Sequence, residues 1–193
     1  MGRRQGARRM SDSMTPQAQV PGSDQAQGRF AALGFAVAFL GLVTDQASKL
    51  WLLYGVDLGE HGPIAIAPFA ELRLVWNYGI SYGLLQQSTD IGRWLLVVLS
   101  VVAAVLMAVW LVRSHSKLVV VSLGLIIGGA IGNAIDRAWA GAVVDFVHLF
   151  LPDRSISWYV FNLADVWIVA GVIGLLYDSV APSHDGATKS GSS

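Results

Sequence analysis

Apolar residues gather into four long runs separated by polar links, and the length of each run sets what it can do. The first, from Arg29 to Tyr54 (RFAALGFAVAFLGLVTDQASKLWLLY), carries an uninterrupted apolar or glycine stretch from Phe30 to Val43 before Thr44 and Asp45. The second, 91–112, contains an uncharged stretch from Trp94 to Val112, close to the ~20 residues that span a hydrocarbon core. The third, 118–136, has Gly124, Gly128, Gly129 and Gly132 close together, and small residues of this kind let helices approach closely. In the fourth, 160–177, every residue from Val166 to Tyr177 is apolar or glycine. The pattern predicts an all-α integral membrane protein with four transmembrane helices at about 29–54, 91–112, 118–136 and 160–177.

The links read differently. In 55–90, Gly55, Gly59, Gly62, Pro63 and Pro68 break any helix, and the stretch FAELRLVWNYGISYGLL then alternates well enough for short strands, with Leu72, Leu74 and Trp76 on one side. This predicts a small extracytoplasmic β-cradle between helices 1 and 2. Within it Asn77 is followed two residues later by Gly79, which suits a turn that aims a side-chain amide. The stretch from Trp139 to Tyr159 reads as a short connection in which Asp145 lies between apolar neighbours. Residues 1–28 and 179–193 are polar and without periodicity, and are expected to be disordered cytoplasmic tails flanking one membrane domain at 29–178.

Composition supports the membrane reading, with 54% hydrophobic and 13% charged residues against roughly 25% charged in a soluble domain. Mean hydropathy is +0.55. The zero net charge is less informative than the positions of the charges. Arg3, Arg4, Arg8, Arg9 and Arg29 precede the first run, and Arg113, His115 and Lys117 lie between the second and third, so both regions are expected to be cytoplasmic. A short arginine tail without a folded basic face gives no reason to expect a nucleic-acid partner. The apolar run after the tail is too long for a cleaved leader and reads as a retained first helix. With no cysteine, disulfides and thiolate chemistry are excluded.

This topology collects the polar residues of the helices at one end. At 1.5 Å per residue Asp45 lies roughly 24 Å along its helix from Arg29, near the outer side, with Lys49 at i+4 suited to an ion pair. Asn133, Asp136 and Arg137 can share one helix face, and Asn162 and Asp165 recur at i,i+3, so with Asp145 all converge on the extracytoplasmic face. There is no HExxH motif, and His61 and His148 are isolated, so no metal site is expected. Ser81, Ser122 and Ser157 lie in no GxSxG or SxxK pattern, which speaks against a serine hydrolase. A pair of aspartates is the better candidate: two close carboxylates do not readily both ionise, so one holds a proton while the other acts as base. Pattern alone leaves the pairing open, with Asp136 and Asp165 the neater helical choice. A proton-coupled transporter and a non-catalytic assembly protein also fit intramembrane carboxylates.

The segments GNAIDRAWAGAVVDF and FNLADVWI resemble the signature region of the lipoprotein signal peptidases, the bacterial signal peptidase II family of membrane aspartyl proteases. TDQASK is similar to that family's DQxxK motif, and WNYGISYG to its Asn-x-Gly-x-Ser/Ala-Phe-Gly motif, with Tyr82 where phenylalanine is common. The resemblance covers about residues 35–178. It implies an intramembrane aspartic endopeptidase that removes the signal peptide from diacylglyceryl-modified prolipoproteins just before the lipidated cysteine. It further implies Asp145 and Asp165 as the catalytic dyad. Asp45, Lys49, Asn77, Asn133, Asp136, Arg137 and Asn162 would be supporting polar residues, with Asp136 organising Asn133 and Arg137, and Gly79 and Tyr82 would belong to the substrate cradle. A monomer in the bacterial inner membrane is expected, without cofactor or metal. Both termini would be cytoplasmic and the active site extracytoplasmic, with lipid-modified prolipoprotein and phospholipid as partners. Trp139, Trp158 and Tyr159 are expected to anchor at headgroup level without touching substrate.

Overall fold

The computed structural model describes residues 23–79 and 90–181. The expected tails fall largely outside these residues, and Tyr82 lies outside them altogether. The apolar runs form α1 (Ser23–Leu50), α3 (Asp90–Arg113), α4 (Lys117–Ala140) and α5 (Leu163–Val180), with a one-turn helix α2 (Leu58–His61) after α1. Four segments, Phe30–Gly55, Asp90–Arg113, Lys117–Ala140 and Leu163–Val180, are long and apolar enough to cross a membrane. Their outward residues include Phe39, Leu40, Val98, Leu106, Val169 and Ile173, all exposed. A surface of that kind is at home in lipid rather than in water.

Helix ends follow local chemistry. Ser116 caps α4 by accepting from Val119 N–H at 3.4 Å, and the helix closes on Gly141, whose φ of 81° is a left-handed conformation that glycine adopts without strain. The third helix thus runs to Ala140, past its expected end at 136. The fourth begins at Leu163 rather than 160, because Asn162 is its cap. At the end of α1 the chain widens into a π turn, Trp51–Gly55.

The second departure lies in the sheet. Strands β1 (Ile64–Ala67), β2 (Ala70–Asn77) and β3 (Val143–Leu149) form an antiparallel sheet in the order β1-β2-β3. A cradle drawn only from between helices 1 and 2 is therefore incomplete. The supposed connection between helices 3 and 4 supplies its third strand, hidden in the sequence because VVDFVHL is buried at nearly every position and does not alternate. The expected single side of Leu72, Leu74 and Trp76 also fails. Leu72 pairs with Val147 but Val75 with Asp145, so β2 carries one extra residue there. Opposite residues share a face, and the extra residue reverses the parity beyond it. Leu72 and Leu74 pack around Leu52, Leu58 and Phe146, Trp76 is exposed, and Asn77 comes onto the face of Asp145.

Helix α4 is central: more than half of its apolar window is buried, against less than a quarter in each other span. Glycines allow this. A Cβ at Gly128 would lie 2.6 Å from Ala38 O of α1, one at Gly129 would lie 2.5 Å from Ala164 O of α5, and one at Gly124 would strike Gly34 O. At Gly132 the missing Cβ leaves room for the carboxylate of Asp45.

That carboxylate belongs to a buried network. Lys49 Nζ lies 2.8 Å from Asp45 Oδ2, 2.7 Å from Asp136 Oδ2 and 3.1 Å from Asn133 Oδ1, tying α1 to α4. Two carboxylates share one ammonium, and neutral donors satisfy the excess. Ala164 N–H at the head of α5 donates to Asp45 Oδ1 (2.9 Å), Val144 N–H of β3 to Asp136 Oδ2 (3.2 Å), and Gln46 Nε2 to Asp136 Oδ1 (2.9 Å). Asp136 does not hydrogen-bond to Asn133 or Arg137 as expected from the resemblance. Its oxygens are taken by Lys49, Gln46 and the start of β3, so it fastens the strand to the bundle.

Two predictions follow from these contacts. Gly128→Ala lowers the unfolding temperature in detergent micelles, since the overpacking costs about 1–3 kcal/mol against an immovable carbonyl, while Gly59→Ala, whose Cβ would meet nothing closer than 3.5 Å, leaves it unchanged. Lys49→Met strands two buried carboxylates and destabilises by about 3–5 kcal/mol, read by denaturant unfolding. Unchanged unfolding would remove this network from the account of stability.

Candidate active site

Asp145 and Asp165 reach one cavity from different elements. Asp145 sits in the middle of β3, and Asp165 is in the first turn of α5. Asn162 joins them. Its Oδ1 accepts from Asp165 N–H at 3.0 Å while its own N–H donates to Asp165 Oδ2 at 3.2 Å, a reciprocal cap on the helix. Its Nδ2 donates to Asp145 Oδ1 at 2.7 Å and to Asn133 Oδ1 at 3.1 Å. One fully buried asparagine thus hydrogen-bonds to both aspartates.

The remaining oxygens are also supplied with amides. Asn77 Nδ2 donates to Asp145 Oδ2 (2.9 Å) and Asn133 Nδ2 to Asp165 Oδ1 (3.0 Å). Asn77 is aimed by the turn its spacing suggested, since its Oδ1 accepts from Gly79 N–H at 3.1 Å. Burial in the protein pushes the Asp145 carboxyl up to about 7, and the nearby Asp165 charge pushes the same way. Hydrogen bonds from Asn77 and Asn162 oppose that rise without cancelling it. The result is a carboxyl group that changes protonation near neutrality.

The cavity holds about 760 Å3. Asn77, Gly79, Asn133, Arg137, Asp145 and Asp165 line its polar part. Arg137 reaches back to Asn133 O (3.3 Å) and across to Gly79 O (3.4 Å), leaving its buried Nε without a partner among the described residues. The apolar part runs along α5 through Val166, Val169 and Ile173, which also face outward. Trp158 and Tyr159, expected at headgroup level, line the cavity too. Trp139 is half-exposed near the end of α4 and does not line it.

Of the residues singled out in the sequence, Asp145, Asp165, Asn77, Asn133, Arg137 and Gly79 line the cavity, and the buried Asn162 is hydrogen-bonded to both aspartates. Asp45, Lys49 and Asp136 stand behind it. Sequence reasoning passed over Gln46, which donates to both buried carboxylates of the network. Its signal was its place inside TDQASK. Among the described residues no group of three or more His, Asp and Glu side chains is arranged to hold a metal ion.

Comparison with known proteins points to one family. A family model described as Signal peptidase (SPase) II matches residues 37–181. The lipoprotein signal peptidase of Nitrobacter hamburgensis is 55% identical over 148 residues, covering 76% of this chain and 90% of that protein. That of Methylorubrum extorquens is 55% identical over 150 residues, covering 78% and 86%. A bacterial membrane enzyme solved in meso at 1.9 Å resolution shares the fold, with a TM-score of 0.64 and 21% identity over 78% of this chain and 94% of that one. With the family model spanning most of the chain and relatives more than half identical, this chain belongs to the signal peptidase II family of membrane proteases.

Proposed function

We propose that Asp145 and Asp165 form the catalytic pair with which this bacterial inner-membrane aspartic endopeptidase removes the signal peptide from diacylglyceryl-modified prolipoproteins, cutting just before the lipidated cysteine. The observation that carries the assignment is the shared Asn162: on the wall of one cavity the Asp145 carboxylate accepts from its side-chain amide and the Asp165 carboxylate from its backbone N–H. Asp136, the rival candidate, is committed to Lys49 and to the start of β3.

The chemistry needs one proton on the pair. The ionised member takes a proton from water, whose oxygen attacks the scissile carbonyl carbon. The protonated member donates to the carbonyl oxygen, and the tetrahedral intermediate collapses as a proton passes to the departing amine. Asn77, Asn133 and Asn162 hold the carboxylates in place during these transfers. The two carboxyls line one cavity and are treated as a pair, without base and acid being assigned to individual residues.

The substrate enters from lipid along α5. From Val166 to Ile173 the cavity follows this helix for roughly 10 Å, bordered by residues that face the membrane, as a signal helix and acyl chains require. Basic residues before α1 and at the facing ends of α3 and α4 orient the termini to the cytoplasm and the aspartates to the extracytoplasmic surface. The peptidase domain is residues 29–178, and it works as a monomer in contact with phospholipid.

Asp145→Asn and Asp165→Asn each lower the cleavage rate of a lipidated prolipoprotein by on the order of a hundredfold or more, with the thermal unfolding transition still present. Substantial cleavage by either variant removes that residue from the pair. The proton that the pair must keep is lost as pH rises through about 7, so the rate falls on the alkaline side with a midpoint near that value. The Asn77 hydrogen bond favours the ionised Asp145, so Asn77→Ala moves this midpoint to higher pH. A midpoint that stays fixed contradicts that role.

A further inference from the structure

The aspartate cavity has a neighbour at the edge of the sheet. An apolar groove of about 390 Å3 is lined by Phe69, Leu149, Phe150, Leu151, Ile156 and Trp158. Trp158 lines the aspartate cavity as well. From Trp158 to Phe161 the chain continues along that cavity, and it ends at Asn162, which is hydrogen-bonded to both aspartates. Trp158 and Asn162 are four residues apart in the chain. Even fully extended, that length places them no more than about 14 Å from one another. Groove and cavity therefore share a wall within reach of the proposed pair.

Residues 149–158 double back to form it. Leu151 N–H donates to Ile156 O (2.8 Å) and Trp158 N–H to Leu149 O (2.7 Å). This sets Leu149 opposite Trp158 and Leu151 opposite Ile156 on one face, with Phe150 and Ser157 paired on the other. The Ser157 face is fastened to the sheet: His148 Nε2 lies 2.7 Å from Ser157 Oγ and its Nδ1 2.9 Å from Glu71 Oε1. Arg154 adds to this, 3.4 Å from Glu71 and stacked 4.3 Å over the Phe150 ring. The apolar face is open instead, with Leu151, Ile156 and Trp158 exposed by 45%, 61% and 66%. The groove is thus held from behind by polar contacts, and its volume is within the ~300–1,000 Å3 of small-molecule sites. Among the described residues none that lines it carries a charge, and the Trp158 indole N–H is its single polar side-chain group. A peptide laid there would bring N–H and C=O groups in need of partners, whereas an acyl chain brings none.

Resting on the function proposed above, we propose that this groove takes one acyl chain of the diacylglyceryl group on the substrate's cysteine, with Leu149, Leu151, Ile156 and Trp158 setting a preference for a long chain. Such a substrate has apolar parts on both sides of the scissile bond, a signal helix before it and acyl chains after it. The molecule offers an apolar branch for each, because the branch along Val166, Val169 and Ile173 leaves the aspartates by α5 and the groove leaves them by the chain before Asn162. The signal helix and the second acyl chain keep to the α5 branch. Bilayer and groove are both apolar, so moving a chain between them gains little from desolvation. What the groove supplies is register: with the lipid held on one side and the helix on the other, the bond between them stays over the aspartates.

The test uses the full-length protein in detergent micelles and prolipoprotein peptides whose cysteine carries dipalmitoylglyceryl or dihexanoylglyceryl, the shorter chains reaching less of the groove. Ile156→Glu places a charge on the exposed wall and lowers the ratio of kcat/KM for the dipalmitoyl over the dihexanoyl peptide on the order of tenfold. Continued cleavage of the dihexanoyl peptide shows that the variant is folded. An unchanged ratio overturns the proposal. Occupancy is read separately by a dipalmitoyl peptide bearing a diazirine at the end of one acyl chain, bound to Asp165→Asn and irradiated, with cross-links mapped by mass spectrometry. Cross-links to residues 149–158, lost in the double variant with Ile156→Glu, are expected, and cross-links confined to α5 overturn the proposal. Phosphatidylglycerol with the same diazirine chain distinguishes a resident membrane lipid. Its label in the groove is displaced by unlabelled dipalmitoyl peptide, and a label that resists displacement assigns the groove to membrane lipid and overturns the proposal. Because cross-linking needs no turnover, full cleavage by Asp145→Asn would remove the aspartate pair while leaving this reading of the groove to stand or fall by its own labels.

Discussion

Asn162 uses one side chain to start a helix and to hold a carboxylate: Oδ1 caps α5 at Asp165 N–H, and Nδ2 donates to Asp145 Oδ1 at 2.7 Å. A carboxylate set among apolar helices is costly unless donors surround it. Neutral amides are suited to that task, because they support a charge without fixing the protonation state as a lysine at the same distance would. Asn77, Asn133 and Asn162 therefore surround the pair, while the buried ammonium of Lys49 is committed to Asp45 and Asp136 behind it. The charged network carries the architecture, and the amide network leaves the aspartates free to exchange a proton.

The two networks meet because of backbone proximity. Glycines at 124, 128 and 132 bring α1 against α4, and Gly129 brings in α5, so that Asp45 can cap Ala164 and Asn133 can reach Lys49, Asp165 and Asn162. On the sheet side, the extra residue of β2 turns Asn77 toward Asp145. Removing that bulge would restore the regular alternation of Leu72, Leu74 and Trp76 and point Asn77 away from its partner. The proposed pair thus depends on a helix interface and a strand irregularity at once.

The four spans were legible because a hydrophobic run long enough to cross a bilayer has few other uses. The i,i+4 pair of Asp45 and Lys49 was legible from spacing alone, as was the Asn77–Gly79 turn. Strand β3 was not, since a strand buried on both faces loses its period-two pattern and reads as an apolar link. Choosing Asp145 over Asp136 needed long-range information: their difference lies in Lys49 and Val144, contacts that no local pattern encodes. Trp158 and Tyr159 looked like interface anchors for a similar reason. Aromatic residues in a membrane link have the same composition whether they face headgroups or a cavity.

The central claim is that Asp145 and Asp165 share a single proton around neutral pH. Infrared titration of the carboxyl C=O stretch, with aspartate isotopically labelled and the Asp145→Asn spectrum subtracted, reads that proton directly. One protonated carboxyl that persists at pH 6 and vanishes with a midpoint near 7 is the expected result. Absence of any protonated aspartate attributable to the pair throughout that range would contradict it.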